Sequence, residues 1–228
     1  MRIKPIALLL ALAASAFLLP GMAQAQIQIT EVDAAGSASL YGADWFELKN
    51  VGSSAVNISG WKIDDNSSNF VSAAVALRGV TSIAAGQSVV FIEGNTSGST
   101  DASIDSTFAT NWFGVFQPSG LVIGNYGGAG VGLSQTTDAV NIFDGSGNVQ
   151  AYVSFGASLL GATFDNTAGV NGTIATFSSA GVNGAFTSSS GQEVGSPDAL
   201  QPVPEPASCA LCGLGVAAMV IVRRSRKA

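Results

Sequence analysis

From residue 27 onward the chain is broken into short runs of alternating or β-branched residues bounded by Gly, Asn, Asp and Ser, and no stretch of helical length shows a capped 3.6-residue apolar period. That rhythm restricts the fold to strands and loops. It predicts strands at residues 27–32, 45–51, 60–63, 88–93, 139–143 and 149–155, with weaker ones around Ile174 and Ala185. Between two of these runs the sequence Asp144-Gly145-Ser146-Gly147-Asn148 is rich in turn formers and predicts a hairpin. Many short strands separated by turns argue for an all-β sandwich. Two stretches depart from the rhythm. Residues 95–120 read as a long insertion, and residues 157–198 read as a Gly/Ser/Thr-rich extension with possible edge strands.

Composition narrows the chemistry further. Histidine is absent from the 228 residues, which removes His-dependent nucleophiles and the usual zinc sites. Cys209 and Cys212 both fall in a terminal apolar run, so the preceding chain has no disulfide and must rely on its core. Their C-x-x-C spacing lacks a second ligand pair, and both read as small apolar residues. Between residues 26 and 203, Lys49, Lys62 and Arg78 stand against fourteen carboxylates, a net charge of −11. Such a surface repels phosphates and argues against nucleic acid as a partner.

The two ends read as an address and a handle. Arg2 and Lys4 precede an apolar run at 6–19 interrupted only by Ser15, and Ala23-Gln24-Ala25 supplies a small-residue cleavage site. This is the order of a secretory signal peptide over residues 1–25, removed after Ala25. At the other end a linker at 199–206 precedes an uncharged segment at 207–222, followed by a basic tail at 223–228. As a helix that segment spans roughly 24 Å, short against a hydrocarbon core of about 30 Å. Arg223, Arg224, Arg226 and Lys227 favour the cytoplasm, which places the middle of the protein outside the membrane.

Pro204-Glu205-Pro206, a short apolar helix and a basic tail together resemble the PEP-CTERM sorting signal. The resemblance implies a Gram-negative bacterium that makes exopolysaccharide. It also implies that Pro204, Glu205 and Pro206 are recognised by an exosortase, with the helix as a temporary handle. The alternative is a permanent single-span anchor after a proline-rich stalk.

Within the middle, ITEVDA, DWFELKNVGSSAVNISGWKIDD, AAGQSVVFIEG and LSQTTDAVNIFDGSGNVQAYVSFG occur in order. Together they resemble a lamin tail domain, of the type bacteria attach to exported proteins. The likeness covers about residues 27–156, within a core domain placed at 26–156. It is strongest from Trp45 through Glu47 and Asn50 to Gly60-Trp61. It implies an immunoglobulin-like β-sandwich, and a function only as broad as binding or scaffolding. The chain has no rod, heptad pattern or basic patch, so a nuclear scaffold role does not carry over.

Phe46 and Leu48 alternate with Glu47 and Lys49, predicting one buried face and one solvent face. Gly60 is expected to let the backbone approach closely while Trp61 enters the core. Trp112 is expected either to cover the sandwich end or to contact a ligand such as a sugar.

Catalysis has little to build on. Glu31, Asp44 and Glu47 come together if their strands pair, as acid–base work on a glycosidic bond requires, but strand carboxylates are ordinarily solvated, and no catalytic residue is assigned. The run Gly127-Gly128-Ala129-Gly130-Val131-Gly132 lacks the spacing and lysine of a phosphate loop and reads as a mobile surface loop. Asp144, Ser146 and Asn148 have the spacing of Ca²⁺ ligands, but Phe155 stands where a closing acid belongs. Asp64, Asn66 and Ser68 form a similarly incomplete set. No metal site or cofactor is therefore expected, beyond weak Ca²⁺ binding by the acidic surface. Sequons begin at Asn57, Asn66, Asn95 and Asn171 and read as polar turns.

The expected function is an exported, non-enzymatic module at the cell surface or in an exopolysaccharide matrix. Its expected partners are the secretion machinery, an exosortase, envelope polysaccharide and, through the C-terminal helix, the membrane. The alternative is a small extracellular hydrolase acting on glycans or phosphoesters.

Overall fold

The computed structural model describes residues 26–198. The signal peptide expected at 1–25, the expected linker and Pro-Glu-Pro motif at 199–206, the span expected at 207–222 and the basic tail at 223–228 lie outside the described residues. Among the described residues no helix is long and apolar enough to cross a membrane.

The elements in chain order are β1 (Ile27–Asp33), β2 (Trp45–Asn50), β3 (Val56–Asn57), β4 (Lys62–Asp64), β5 (Val75–Ala76), β6 (Ser82–Ile83), β7 (Ser88–Gly94), α1 (Asp101–Phe113), β8 (Ile123–Gly127), β9 (Asp138–Phe143), β10 (Val149–Phe155), β11 (Phe164–Asp165), β12 (Gly172–Ile174), β13 (Phe186–Thr187) and β14 (Val194–Gly195). Two sheets face each other, ordered β11-β1-β2-β7-β8 and β12-β10-β9-β4-β5. Pairing is antiparallel except for β7 with β8 and β10 with β12. Between the sheets lies one core, with Phe46, Leu48, Phe91 and Tyr126 from the first and Ile63, Val140, Ile142 and Val153 from the second. Trp61 joins it. Gly60 is needed for its φ of +76°, not for a close approach, since nothing lies within 4 Å of where a Cβ would stand.

In β1 the strand phase changes. Ile29 pairs with Leu48 but Glu31 pairs with Glu47, so Thr30 is the extra residue of a β-bulge. Without it, Glu31 would share the inward face of Ile27 and Ile29. With it, Val32 takes the inward face and Glu31 turns outward.

The solvent face expected for β2 does not exist. Glu47 is 3% exposed and Lys49 4%, because a second layer covers the outside of the first sheet. Part of that layer is α1, which the sequence reading missed: its buried face carries Phe108, Ala109, Asn111 and Trp112, with Ile104 partly buried, amid Ser, Thr and Asp, so no continuous apolar period shows. The side-chain hydroxyls of Thr107 and Thr110 donate to the carbonyls of Ser103 and Ser106, one turn back, so they compete little with the helix. Arg78 pairs with Asp101 in the first turn at 2.6 Å and tethers the helix N-terminus. Phe108 and Trp112 pack on Tyr41, Trp45, Val90 and Ile92 to form a second core, with Phe186 of β13 against Trp112.

Strand β8 was also hidden. Its Gly124 sits where a Cβ would strike the Phe91 ring, 2.5 Å away, so the strand looks like loop by composition. The glycine run that follows is not a free loop throughout: Gly127 ends β8 and Val131 is buried in the core. Residues 157–198 supply β11 to the first sheet and β12 to the second, then return across the outer layer as β13 and β14.

Candidate functional site

The chemistry-bearing side chains gather on the outer face of the first sheet. The bulge in β1 sets Glu31 directly opposite Glu47, and both are buried, at 0% and 3% exposure. Like charges at facing positions repel, and a dry environment disfavours ionisation altogether. Burial, reinforced by the charge of Glu47, pushes the Glu31 carboxyl up to about 8. Burial likewise pushes Glu47 up to about 7.

Both carboxyls are held by residues far away in sequence. Glu31 Oε1 accepts from the Thr163 hydroxyl at 2.5 Å and the Ser196 N–H at 2.7 Å, and Oε2 from the Ser196 hydroxyl at 3.1 Å. Glu47 accepts from the Thr30 hydroxyl at 2.6 Å and the Asp198 N–H at 2.7 Å. The pair therefore straps the segment 193–198 across the sheet.

A second acid pair lies at the next turn of the layer. Tyr41 Oη accepts from the Trp45 indole N–H at 2.9 Å and lies 2.8 Å from Glu193 Oε1 and 3.2 Å from Asp33 Oδ2. One phenolic proton faces two acceptors, Glu193 at the shorter distance and Asp33 at the longer, so the two carboxyls cannot both be fully satisfied as anions. In agreement, burial and the Glu193 charge push Asp33 up to about 7, and burial raises Glu193 too. The Asn111 amide donates to Glu193 Oε2 at 2.5 Å. Nearby, burial lifts Asp44 to about 6 although the Ser37 N–H donates to it.

Glu31, Asp44 and Glu47, expected to converge, do share this layer, but they are not the solvated carboxylates expected of strands. A substrate has no route to Glu31 or Glu47 as they stand. Glu193 lines a cleft of about 240 Å³, and its oxygens are taken up by Tyr41 and Asn111. What this arrangement does is hold protons, and couple them to the docking of the chain's far end.

Trp112 is not available as a surface ligand contact. It is 1% exposed and packed edge-on against Trp45 and Phe186. Asp144 is used by its own hairpin: its oxygens accept from the backbone of Ser146 and Asn148 and the side chains of Asn148 and Gln150, which keeps its pKa below the usual carboxylate value. In the 64–69 loop, Asp64 Oδ2 accepts from Ser67 and Asn69 while Oδ1 is buried without a partner. No group of three or more Cys, Asp or Glu side chains among the described residues is arranged to hold a metal ion. Sequence reasoning missed Asp33, Tyr41, Asn111, Thr163, Glu193 and Ser196, whose contacts span up to 165 positions and leave no local signal.

The sandwich accords with a family match, in which the model of the Lamin Tail Domain aligns with residues 20–157. The chain belongs to the lamin tail domain family. No curated protein and no solved structure matches it. The lamin tail domain match ends before Thr163, Glu193, Ser196 and Asp198, so these contacts to the acid layer lie outside the matched residues, whereas Thr30, Tyr41, Asn111 and the rest of α1 lie within them. In this lamin tail domain the outer face of the first sheet is thus closed jointly by α1, inside the match, and by residues 163–198, beyond it.

Proposed function

We propose that the protein is a non-enzymatic binding or scaffolding module of the bacterial envelope. It is exported by its signal peptide, sorted through the PEP-CTERM-like ending and processed by an exosortase that reads Pro204, Glu205 and Pro206. It then works at the cell surface or in the exopolysaccharide matrix. The observation that carries this reading is the use made of Glu31 and Glu47: in a chain without histidine, the paired carboxylates best suited to acid–base chemistry are sealed and serve to strap residues 193–198. That arrangement supports an architectural role and counts against the glycan or phosphoester hydrolase alternative.

The test is intact mass and cell fractionation in the native host, beside a variant with Pro204, Glu205 and Pro206 all changed to Ala. The expected mass begins at Gln26 and stops near the Pro-Glu-Pro motif, with processing lost in the variant. A mass that includes Ala228 in both proteins makes the helix a permanent anchor and removes the sorting step.

A further inference from the structure

We propose that the groove alongside α1 is a binding subsite for a neutral saccharide, a reading that rests on and deepens the role of the protein as a binding module. The groove encloses about 450 Å³, within the range of small-molecule sites. Thr107 and Thr110 of α1 line one wall, Ser189 and Ser190 the other, with Leu40 as an apolar rim and Asn111 beneath. It is built in advance: the N–H groups of Ser189 and Ser190 donate to the carbonyls of Trp112 and Asn111 at 2.9 and 3.1 Å, locking the far wall to the end of the helix.

Its chemistry asks for a ligand that donates hydrogen bonds without carrying charge. The protons of Thr107 and Thr110 are already given to helix carbonyls, which leaves their oxygens as acceptors. Beneath them Asn111 is 5% exposed, its amide donates to Glu193 and its Oδ1 lies buried without a partner, so the groove floor presents no free donor. No charged side chain lines the groove. The domain's net charge of −11 repels anions, and the absence of a lining carboxylate gives a cation nothing to pair with. Hydroxyl groups on a carbon ring meet these requirements. The apolar face of such a ring has Leu40, 63% exposed, at the groove rim.

The experiment uses the full chain, kept soluble in a detergent without a sugar headgroup, on an array of neutral, acidic and amino glycans. Two exposed groove positions are changed separately, Thr110→Trp and Ser190→Arg, with thermal melting as the check on folding. The expected result is retention on neutral glycans that persists in 0.5 M NaCl and falls at least tenfold in both variants. Retention that survives both variants overturns the groove while leaving a glycan-binding module in place. Capture of amino glycans that is abolished by salt shows a cation site instead and overturns the proposal. Capture of no glycan at all also overturns it, and leaves the export and scaffolding role to the mass and fractionation experiment.

Discussion

Glu31 and Glu47 face each other across β1 and β2 with no solvent between or above them. The folded protein therefore binds protons more tightly than the unfolded chain. Glu31 rises from 4.5 to about 8, Glu47 from 4.5 to about 7 and Asp33 from 3.8 to about 7. Where the native state holds more protons, stability falls as pH rises, by about 1.4 kcal/mol per pH unit for each extra proton. Stability is thus greatest near pH 4–5, declines through the window set by these shifts, and levels off above about pH 8. The lowered pKa of Asp144 acts in the opposite sense only below its unfolded value of 3.8. Thermal melts from pH 5 to pH 8.5 should show Tm falling by more than about 10 °C; a flat or rising profile contradicts the buried pair.

Replacing Glu31 by Gln copies the protonated acid. The amide oxygen accepts from Thr163 and the Ser196 N–H, and the amide nitrogen donates to the Ser196 hydroxyl. Urea denaturation at pH 8 should show Glu31→Gln more stable than the parent by about 1–3 kcal/mol, with little difference at pH 5. Glu31→Ala, which strands its donors, should lose about 2–4 kcal/mol at both pH values.

A chain that ends where the family match ends, at residue 157, loses β11, β12 and the strap over the acid layer. It should expose Trp112, which loses Phe186, and the Glu31–Glu47 pair to water. Fluorescence of a hydrophobic dye and dispersion of amide resonances measure this, and the expected outcome is dye binding with poorly dispersed spectra. A cooperative, dye-silent melt would show that the shared core closes without its C-terminal half.

Trp112 joins α1 to Trp45 and Phe186. Trp112→Ala should cost about 3–5 kcal/mol in chemical denaturation, as large core truncations do. A loss under 1 kcal/mol contradicts its place in the second core.

Calcium offers a further check. With Asp144 bonded to its own hairpin, millimolar Ca²⁺ should act only through the net charge of −11. A small rise in Tm that disappears in 0.15 M salt is the expected result. A rise that survives the salt and vanishes in Asp144→Ala shows a specific site.

The parts of the fold legible beforehand were those with a local signature. Strands at 88–93 and 149–155 announce themselves by β-branched runs, and the 144–148 hairpin by its turn residues. The quoted segments around Trp45 and Trp61 carry the family, and the lack of histidine narrows the chemistry before any contact is known. Helix α1 escaped because its buried face mixes Phe108 and Trp112 with small Ala109 and polar Asn111, and β8 because its glycine answers the Phe91 ring on a neighbouring strand rather than anything nearby in sequence.

By itself, then, the sequence determined the family, the sandwich and the excess of negative charge, since alternation, turn chemistry and composition act over a few residues at a time. Only the tertiary structure decided that Glu31 turns outward to meet Glu47, that Trp112 is core, and that residues beyond 157 join α1 in sealing the layer. A bulge shifts a strand's phase by a single residue, and the donors that satisfy Glu31 lie 132 and 165 positions away. Burial of a carboxylate is a property of everything packed around it, which no local pattern records.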